Sequence, residues 1–450
     1  MQVVVVETPE LGDRSYLVHD GSFGFVVDAQ RDIDKLLSRI TSSGIRVTHV
    51  FETHIHNDYV TGGLALAKVV GADYCVAAAD SVEFARRAVN EGDTFESGSL
   101  TVRALHTPGH TPNHLSYAVL EAGTAVAVLT GGSLLYGTVG RTDLISSELT
   151  ESLTRDQYRS ARRLMAEVPP DAQVLPTHGF GSFCASSGTS SAGAGNIASE
   201  RAQNVAATTD DETAFVASII AGLGPYPSYY SHMAPLNRLG PTAFAEITEI
   251  SELDSEALRV KLEGGSWVID TRPRRQFAAA HLQGTVGMEL SSSFSTYAGW
   301  LSPFDTSLTL LTDGLDDFRA ARRALSRIGL DRLEASTVGF AGHSAQLPVR
   351  GYPVTDFARV AQGLPEAAVV LDVRQSDEWR SGHIPGSRNV PIQELPGRMR
   401  EIPRQELWVH CGVGYRASVA ASLLDRAGHS VVLIDDDFDN AKEAGLPIQS

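Results

Sequence analysis

Cysteine is scarce: Cys75, Cys184 and Cys411 are the only three in 450 residues. An odd, widely spaced set argues against a disulfide framework and for a reducing compartment, so any cysteine that matters here is expected to be a thiol. Long apolar runs are also missing. No stretch approaches the roughly 20 residues of a membrane span, and the opening MQVVVVETPELGDR has neither the basic nor the full apolar segment of a secretory signal. The expectation is a cytoplasmic protein with no membrane partner. Positive charge is in short supply as well. Lys and Arg number 37 against 54 Asp and Glu, a net charge of -17 that repels polyanions and argues against a nucleic-acid partner. The rest is ordinary for folded protein, with 42% apolar and 20% charged residues. At about 150 residues per domain the length suggests about three domains.

Short apolar runs such as VVVVE, YLVHD and FGFVVDA read as strands, and DIDKLLSRITSSG as a first amphipathic helix ending at Gly44. The Ser- and Gly-rich tract at 186–196 reads either as a linker or as a loop beside a site. DETAFVASIIAGLG is helical, and GPYPSYYSHMAPLNRLGP looks like a closing arm before a new domain near residue 245. Beyond it lies an internal repeat. Asp270, Arg272, Phe277, His281 and Gly284 recur at one offset as Asp372, Arg374, Trp379, His383 and Gly386, which predicts two copies of one α/β unit.

The loop Thr53-His54-Ile55-His56-Asn57-Asp58-Tyr59 follows a strand and sets two imidazoles and a carboxylate within five residues. Neutral imidazoles are common ligands of zinc and non-haem iron, and a spacing of two lets both reach one ion. His110 in HTPGHTPNH and His178 in LPTHGFGS have the same strand-end setting, so one convergent site is expected. His114 and His106 are assigned to supporting or surface positions. In the second repeat, LWVH leads into Cys411-Gly412-Val413-Gly414-Tyr415-Arg416 and then a helical ASVAASLLDRAG. A thiol on a Gly-rich loop entering a helix N-terminus, with Arg416 adding positive charge, is a good place for a thiolate. The first repeat offers only Thr312 or Asp313 there, and Cys75 and Cys184 read as buried structural thiols. The run Asp435-Asp436-Asp437 reads as a solvated acidic turn.

THIHNDY, TPGHT, GRTDL and PTHGFGS resemble the metallo-β-lactamase fold and, within it, the persulfide dioxygenase branch, over roughly residues 1 to 240. DVR, the segment W-x-x-G-H-I-P-G-S-x-N-V-P and the C-x-x-G-x-R loop resemble rhodanese. The resemblance implies an α/β chain: a metallo-β-lactamase αββα sandwich (1–244), an inactive rhodanese-like domain (245–349) and a rhodanese domain with Cys411 (350–450). It implies one Fe(II), with zinc or loss of the metal as alternatives, and a small thiol or persulfide substrate such as glutathione persulfide. It also implies a homodimer. Cys411 would be the nucleophile and sulfur carrier, assisted by Arg416, within a binding loop of Gly412, Val413, Gly414 and Tyr415.

The chain departs from this pattern in three places. Tyr59 stands where a further metal-binding His is usual, which argues against a full second metal site. Gly132 stands where the family has its metal-binding Asp, and Gly412 where rhodaneses often have Arg. His54, His56 and His110 as a three-histidine face, or Asp58 as the anionic ligand, are the two ways left to complete the centre, with His178 beside them. An Asp placed at 132 is expected to raise iron affinity. Arg141 of GRTD would either grip a substrate carboxylate or pair with Asp143.

Overall fold

The computed structural model describes residues 1–186, 195–245 and 252–450. Most of the Ser- and Gly-rich tract therefore lies outside the described residues. The chain divides into two compact units, Met1–Ala245 with Ser326–Gly329, and Glu246–Leu325 with Leu330–Ser450.

The first unit is built on two six-stranded sheets. The first sheet begins with the antiparallel strands Gln2–Thr8, Asp13–His19 and Phe23–Val27. It continues parallel through Arg46–Phe51, Asp73–Ala77 and Arg87–Val89. The second sheet is mostly antiparallel, except where Thr124–Gly131 runs parallel to Gln173–Pro176. Inward-facing Phe25, Phe51, Phe95, Tyr117 and Leu129 from both sheets form one buried cluster. Helices cover the outer faces. Asp34–Ser43 and Gly63–Val70 place Leu36, Ile40, Leu64 and Ala67 against the first sheet. Thr150–Glu167 buries Leu153, Gln157, Ala161 and Leu164, a helical spacing that presents one face to the second sheet. The result is an αββα sandwich. The first helix stops at Gly44, whose φ of 65° supplies the left-handed turn that side-chain-bearing residues resist. The Pro- and Tyr-rich arm contains a helix, Tyr230–Leu239, despite Pro235.

The second unit contains two parallel sheets with one strand order. Val286–Gly287, Trp267–Asp270, Leu308–Leu311 and Leu333–Ser336 in the first correspond to Arg388–Asn389, Val369–Asp372, Leu407–His410 and Val431–Ile434 in the second. The repeated residues do the same work twice. Arg272 and Arg374 each clamp the buried carboxylate two residues upstream, at 2.6 and 2.7 Å, and each donates to a backbone carbonyl eight residues on. His281 stacks on Phe277 and His383 on Trp379, each with its Nδ1 bonded to that ring residue's carbonyl. Asp435 departs from the expected solvated turn. It is buried, with Arg274 and Arg275 on its two carboxylate oxygens.

Candidate functional site

In the first unit the histidine-bearing loops all leave the C-terminal ends of strands. The Thr53–Tyr59 loop follows Arg46–Phe51, the His110 loop follows Leu100–His106, and Thr177-His178 follows Gln173–Pro176. His54 lies 4.1 Å from His56, 4.7 Å from His110 and 5.3 Å from His178 by ring centroids, and all four are buried. Hydrogen bonds on their far sides set the protons. Asp28 accepts from the Thr53 N–H at 2.7 Å and from the Thr53 hydroxyl at 2.8 Å. Having given its proton away, Thr53 Oγ1 can only accept from His54 Nδ1 at 2.8 Å, which makes His54 Nε2 the acceptor nitrogen of the ring, turned toward His178 Nε2. His110 Nδ1 likewise donates to the Arg141 carbonyl at 2.7 Å, and its Nε2 is buried with no hydrogen-bond partner. Burial, followed by the charge of His178, pushes the His110 pKa down to about 3, so the ring is neutral.

His56 turns Nε2 toward Tyr59 Oη at 2.9 Å, Glu52 at 3.2 Å and Asp28 at 3.3 Å, and its buried Nδ1 has no hydrogen-bond partner. Burial opposes its charge, but the two carboxylates outweigh burial and raise it to about 9. His178 bonds Asp13 at 2.8 Å and lies 3.2 Å from Asp58, and these charges overcome burial to hold its pKa well above the usual histidine range. Its Nε2 is 3.4 Å from His54 Nε2. Two nitrogens bound at about 2.0–2.1 Å to one tetrahedral ion stand about 3.4 Å apart. The ligand atoms of His54, His56 and His178 lie within 4.8 Å of one another, as do those of His110, His178 and Cys184. The donors therefore suit a divalent cation. Their nitrogens carry orienting bonds on the far side, and carboxylate charge is close by.

Three participants carry no sequence expectation. Asp13, Asp28 and Glu52 orient the imidazoles, and their only sequence signal is a carboxylate near a strand end. His114 is fully buried, accepting from the Gly132 N–H at 3.0 Å and engaging Thr107 at 3.0 Å, so both its nitrogens are used. Cys184 is buried, as expected, and lies in the pocket beside His110 and His178. Burial first, then Asp58 and Asp13, push its thiol well above the usual range.

Arg141 takes the second of its two expected roles. Its guanidinium binds Asp143 at 2.7 and 2.8 Å and the carbonyls of Phe183 and Gly224, so it is not presented to a substrate carboxylate. The prospect for an Asp at 132 also changes. A Cβ on Gly132 would fall 2.6 Å from His110 Cγ and 2.8 Å from its Nε2, because the imidazole occupies that space.

In the second unit, strand Leu407–His410 delivers Cys411 to a loop that ends in helix Tyr415–Arg426. The Gly414 N–H points at Cys411 Sγ, 3.2 Å away. Gly414 has φ 92°, a left-handed conformation that lets its amide turn inward. Gly412 fixes the loop by accepting from the Phe438 N–H at 2.7 Å, and Val413 is exposed at the tip. Arg416 is held by Glu378 at 2.8 Å, so its charge near the thiol is partly matched. The Tyr415 hydroxyl donates to the Glu289 carbonyl at 3.2 Å, so it is committed to the first repeat. Strand pairing also decides the counterpart of Cys411. Leu311 faces Asp270 as His410 faces Asp372, which puts Thr312 in the thiol's place. All three cysteines are free, and among the described residues no helix is long and apolar enough to cross a membrane.

Residues 10–178 match the metallo-beta-lactamase superfamily model, and residues 357–444 match the rhodanese-like domain. A hydroxyacylglutathione hydrolase of Rhizobium johnstonii is 31% identical over 168 residues, covering 36% of this chain and 61% of that protein. Another, of Cereibacter sphaeroides (strain ATCC 17025), is 32% identical over 185 residues, covering 40% of this chain and 68% of that protein. The chain thus spans less than two thirds of the length of the Rhizobium relative. A crystal structure of a metallo-beta-lactamase from Staphylococcus aureus subsp. aureus COL shares the fold, with a TM-score of 0.66 at 22% identity over 74% of this chain and 99% of that one. The chain belongs to the metallo-beta-lactamase superfamily, with a rhodanese-like domain following that fold.

Proposed function

We propose that this is a sulfur-metabolism enzyme in which the N-terminal pocket oxidises a low-molecular-weight persulfide, such as glutathione persulfide, and Cys411 carries sulfane sulfur. The observation that carries this reading is the set of buried imidazole nitrogens, His54 Nε2, His56 Nδ1 and His110 Nε2, gathered in one pocket while hydrogen bonds hold the rings from behind; the neutral His110 offers its Nε2 lone pair directly, and a cation would displace the proton from His56 Nδ1. These three, with Asp58 and His178, are the residues that would hold the metal. Bound Fe(II) would supply the redox chemistry for O₂ and the outer sulfur. The balance is RSSH + O₂ + H₂O → RSH + SO₃²⁻ + 2H⁺. Asp28 and Thr53 orient His54, Asp13 orients His178, and the buried Tyr59 phenol closes the side where a further histidine would stand.

The Cys411 thiolate attacks the outer sulfur of a second persulfide RSSH, whose S–S bond breaks to release RSH, and forms Cys–S–S⁻, with the Gly414 N–H directed at the Cys411 sulfur. Sulfite attacking the outer sulfur gives thiosulfate and returns the Cys411 thiolate. Tyr297 of the first repeat packs on Tyr415 of the Cys411 loop, with ring centroids 5.6 Å apart. Burial pushes its phenol up to about 12, so it stays neutral and able to donate. The first repeat then serves as an inactive rhodanese-like partner that helps shape the Cys411 pocket. A second reading, favoured by the hydroxyacylglutathione hydrolase relatives, is a zinc enzyme that cleaves a glutathione thioester.

An oxygen electrode with glutathione persulfide separates the two readings. The expected result is O₂ uptake that His110→Ala abolishes and Cys411→Ser retains, with thiosulfate output lost in Cys411→Ser. No O₂ uptake, together with thiol release from an S-acylglutathione, would replace the first reading by the second.

A further inference from the structure

We infer that Cys184 is a thiolate ligand of the metal centre, taking the place left without a carboxylate at Gly132. The inference rests on the metal-centre reading above and adds a residue to it. Cys184 Sγ and the ligand atoms of His110 and His178 lie within 4.8 Å of one another in a fully buried setting. His110 Nε2, also buried, has no hydrogen-bond partner.

The backbone brings the thiol there. The Arg141 N–H donates to the Cys184 carbonyl at 2.8 Å, and the Ser186 N–H donates to Val139 at 3.1 Å. The Cys184 N–H is held by Ser182 Oγ at 3.1 Å. These bonds stitch the segment after His178 to residues 139–141. That stretch in turn lies against the position of the missing carboxylate, because the Gly140 N–H donates to the Gly132 carbonyl at 2.9 Å. A Cβ on Gly140 would overlap that carbonyl and approach His110 Nδ1 to 2.8 Å. Two glycines thus let the loop bearing Cys184 close on His110.

Chemically, the cation displaces the thiol proton, which leaves to solvent, and one sulfur–metal bond forms; no electron moves. The thiolate restores the negative charge that Gly132 removes. It also adds a soft donor to the imidazoles, a set that favours zinc- or cobalt-like ions over magnesium-like ones.

The test uses the full chain, freed of metal and titrated with Co²⁺ alone. The expected result is a near-ultraviolet sulfur-to-cobalt charge-transfer band that survives in Cys411→Ser and vanishes in Cys184→Ser. Affinity in Cys184→Ser should fall by more than about 100-fold, beyond what loss of an orienting hydrogen bond costs. X-ray absorption of the loaded unmutated protein removes any dependence on how the variant folds. A sulfur scatterer at about 2.3 Å supports the assignment, and nitrogen and oxygen alone at about 2.0–2.2 Å overturn it while leaving the metal centre standing. No Co²⁺ uptake at all overturns both.

Discussion

Gly132→Ala tests whether the pocket is shaped around His110. The added Cβ would sit 2.6 Å from His110 Cγ and 2.8 Å from Nε2. The ring cannot yield cheaply, because its Nδ1–H is tied to Arg141 O at 2.7 Å and Gly140 is packed close to that nitrogen. Overpacking of this kind costs about 1–3 kcal/mol. Losing the imidazole hydrogen bond adds about 1 kcal/mol. For a domain of roughly this size, about 2–4 °C per kcal/mol gives a fall in Tm of about 4–16 °C. Thermal unfolding followed by far-ultraviolet circular dichroism measures it. Tryptophan emission is a control, since Trp267, Trp300, Trp379 and Trp408 all lie in the second unit and should report native surroundings before heating. Cation affinity should fall with Tm, because the displaced nitrogen belongs to the candidate ligand set. Gly132→Asp should behave alike, since its Cβ meets the same ring before any carboxylate reaches the pocket. A Tm within about 1 °C of the parent, or a gain in affinity for the Asp variant, would show that His110 can move aside and that the steric argument is wrong.

Two further predictions concern the second unit. Arg374→Ala leaves the Asp372 carboxylate buried without its clamp and should cost about 3–5 kcal/mol, and Arg272→Ala should cost about as much at Asp270. Urea midpoints measure both, and a loss below about 1 kcal/mol for Arg272→Ala would show that the first repeat does not depend on its clamp. His410 is held neutral because burial outweighs the attraction of Asp372, so its folded-state pKa lies below the unfolded one. As pH falls below about 6.5 the unfolded chain takes up a proton that the folded chain refuses, so stability drops by up to about 1.4 kcal/mol per pH unit down to the folded pKa. Urea midpoints at about pH 7.5 and about pH 5.5 should converge in His410→Phe relative to the parent, and an equal pH effect in both proteins would remove His410 as its source.

The features that could be read from sequence were those whose signal is local. Strand runs, the Gly44 helix stop and the paired Asp-x-Arg repeats depend on neighbours a few residues apart, and the fold follows from them. Four of the histidines could be grouped because each follows an apolar run and precedes Pro, Gly or a polar turn. Their orienting partners could not be grouped in this way. Nothing near Asp13 indicates that it meets His178, 165 residues later, or that Asp28 braces Thr53. Arg141 and the pair Thr312 and Asp313 were undecidable between two readings until loop packing and strand register chose. Asp435 was misread because an acidic run looks solvated unless the arginines that reach it, 160 and 161 residues earlier, are known. His114 and Cys184 share the pocket only through tertiary closure of their loops.

Charge explains why these distant residues belong together. Asp13, Asp28, Glu52 and Asp58 are each no more than 1% exposed and lie among the imidazoles. Four ionised carboxylates at such depth would be strongly unfavourable without compensation. Within the chain, protons supply part of it. Asp13 is pushed up to about 7 by burial and then by Asp58, while His56 and His178 are lifted toward their charged forms. A divalent cation offers the same compensation in one place, and taking it up would release the protons that now hold the balance. Tyr59 and Gly132, which the resemblance sets at ligand positions, leave this surplus of carboxylates in place. The pocket is therefore not an apolar cavity, and its buried carboxylates favour a positive ion.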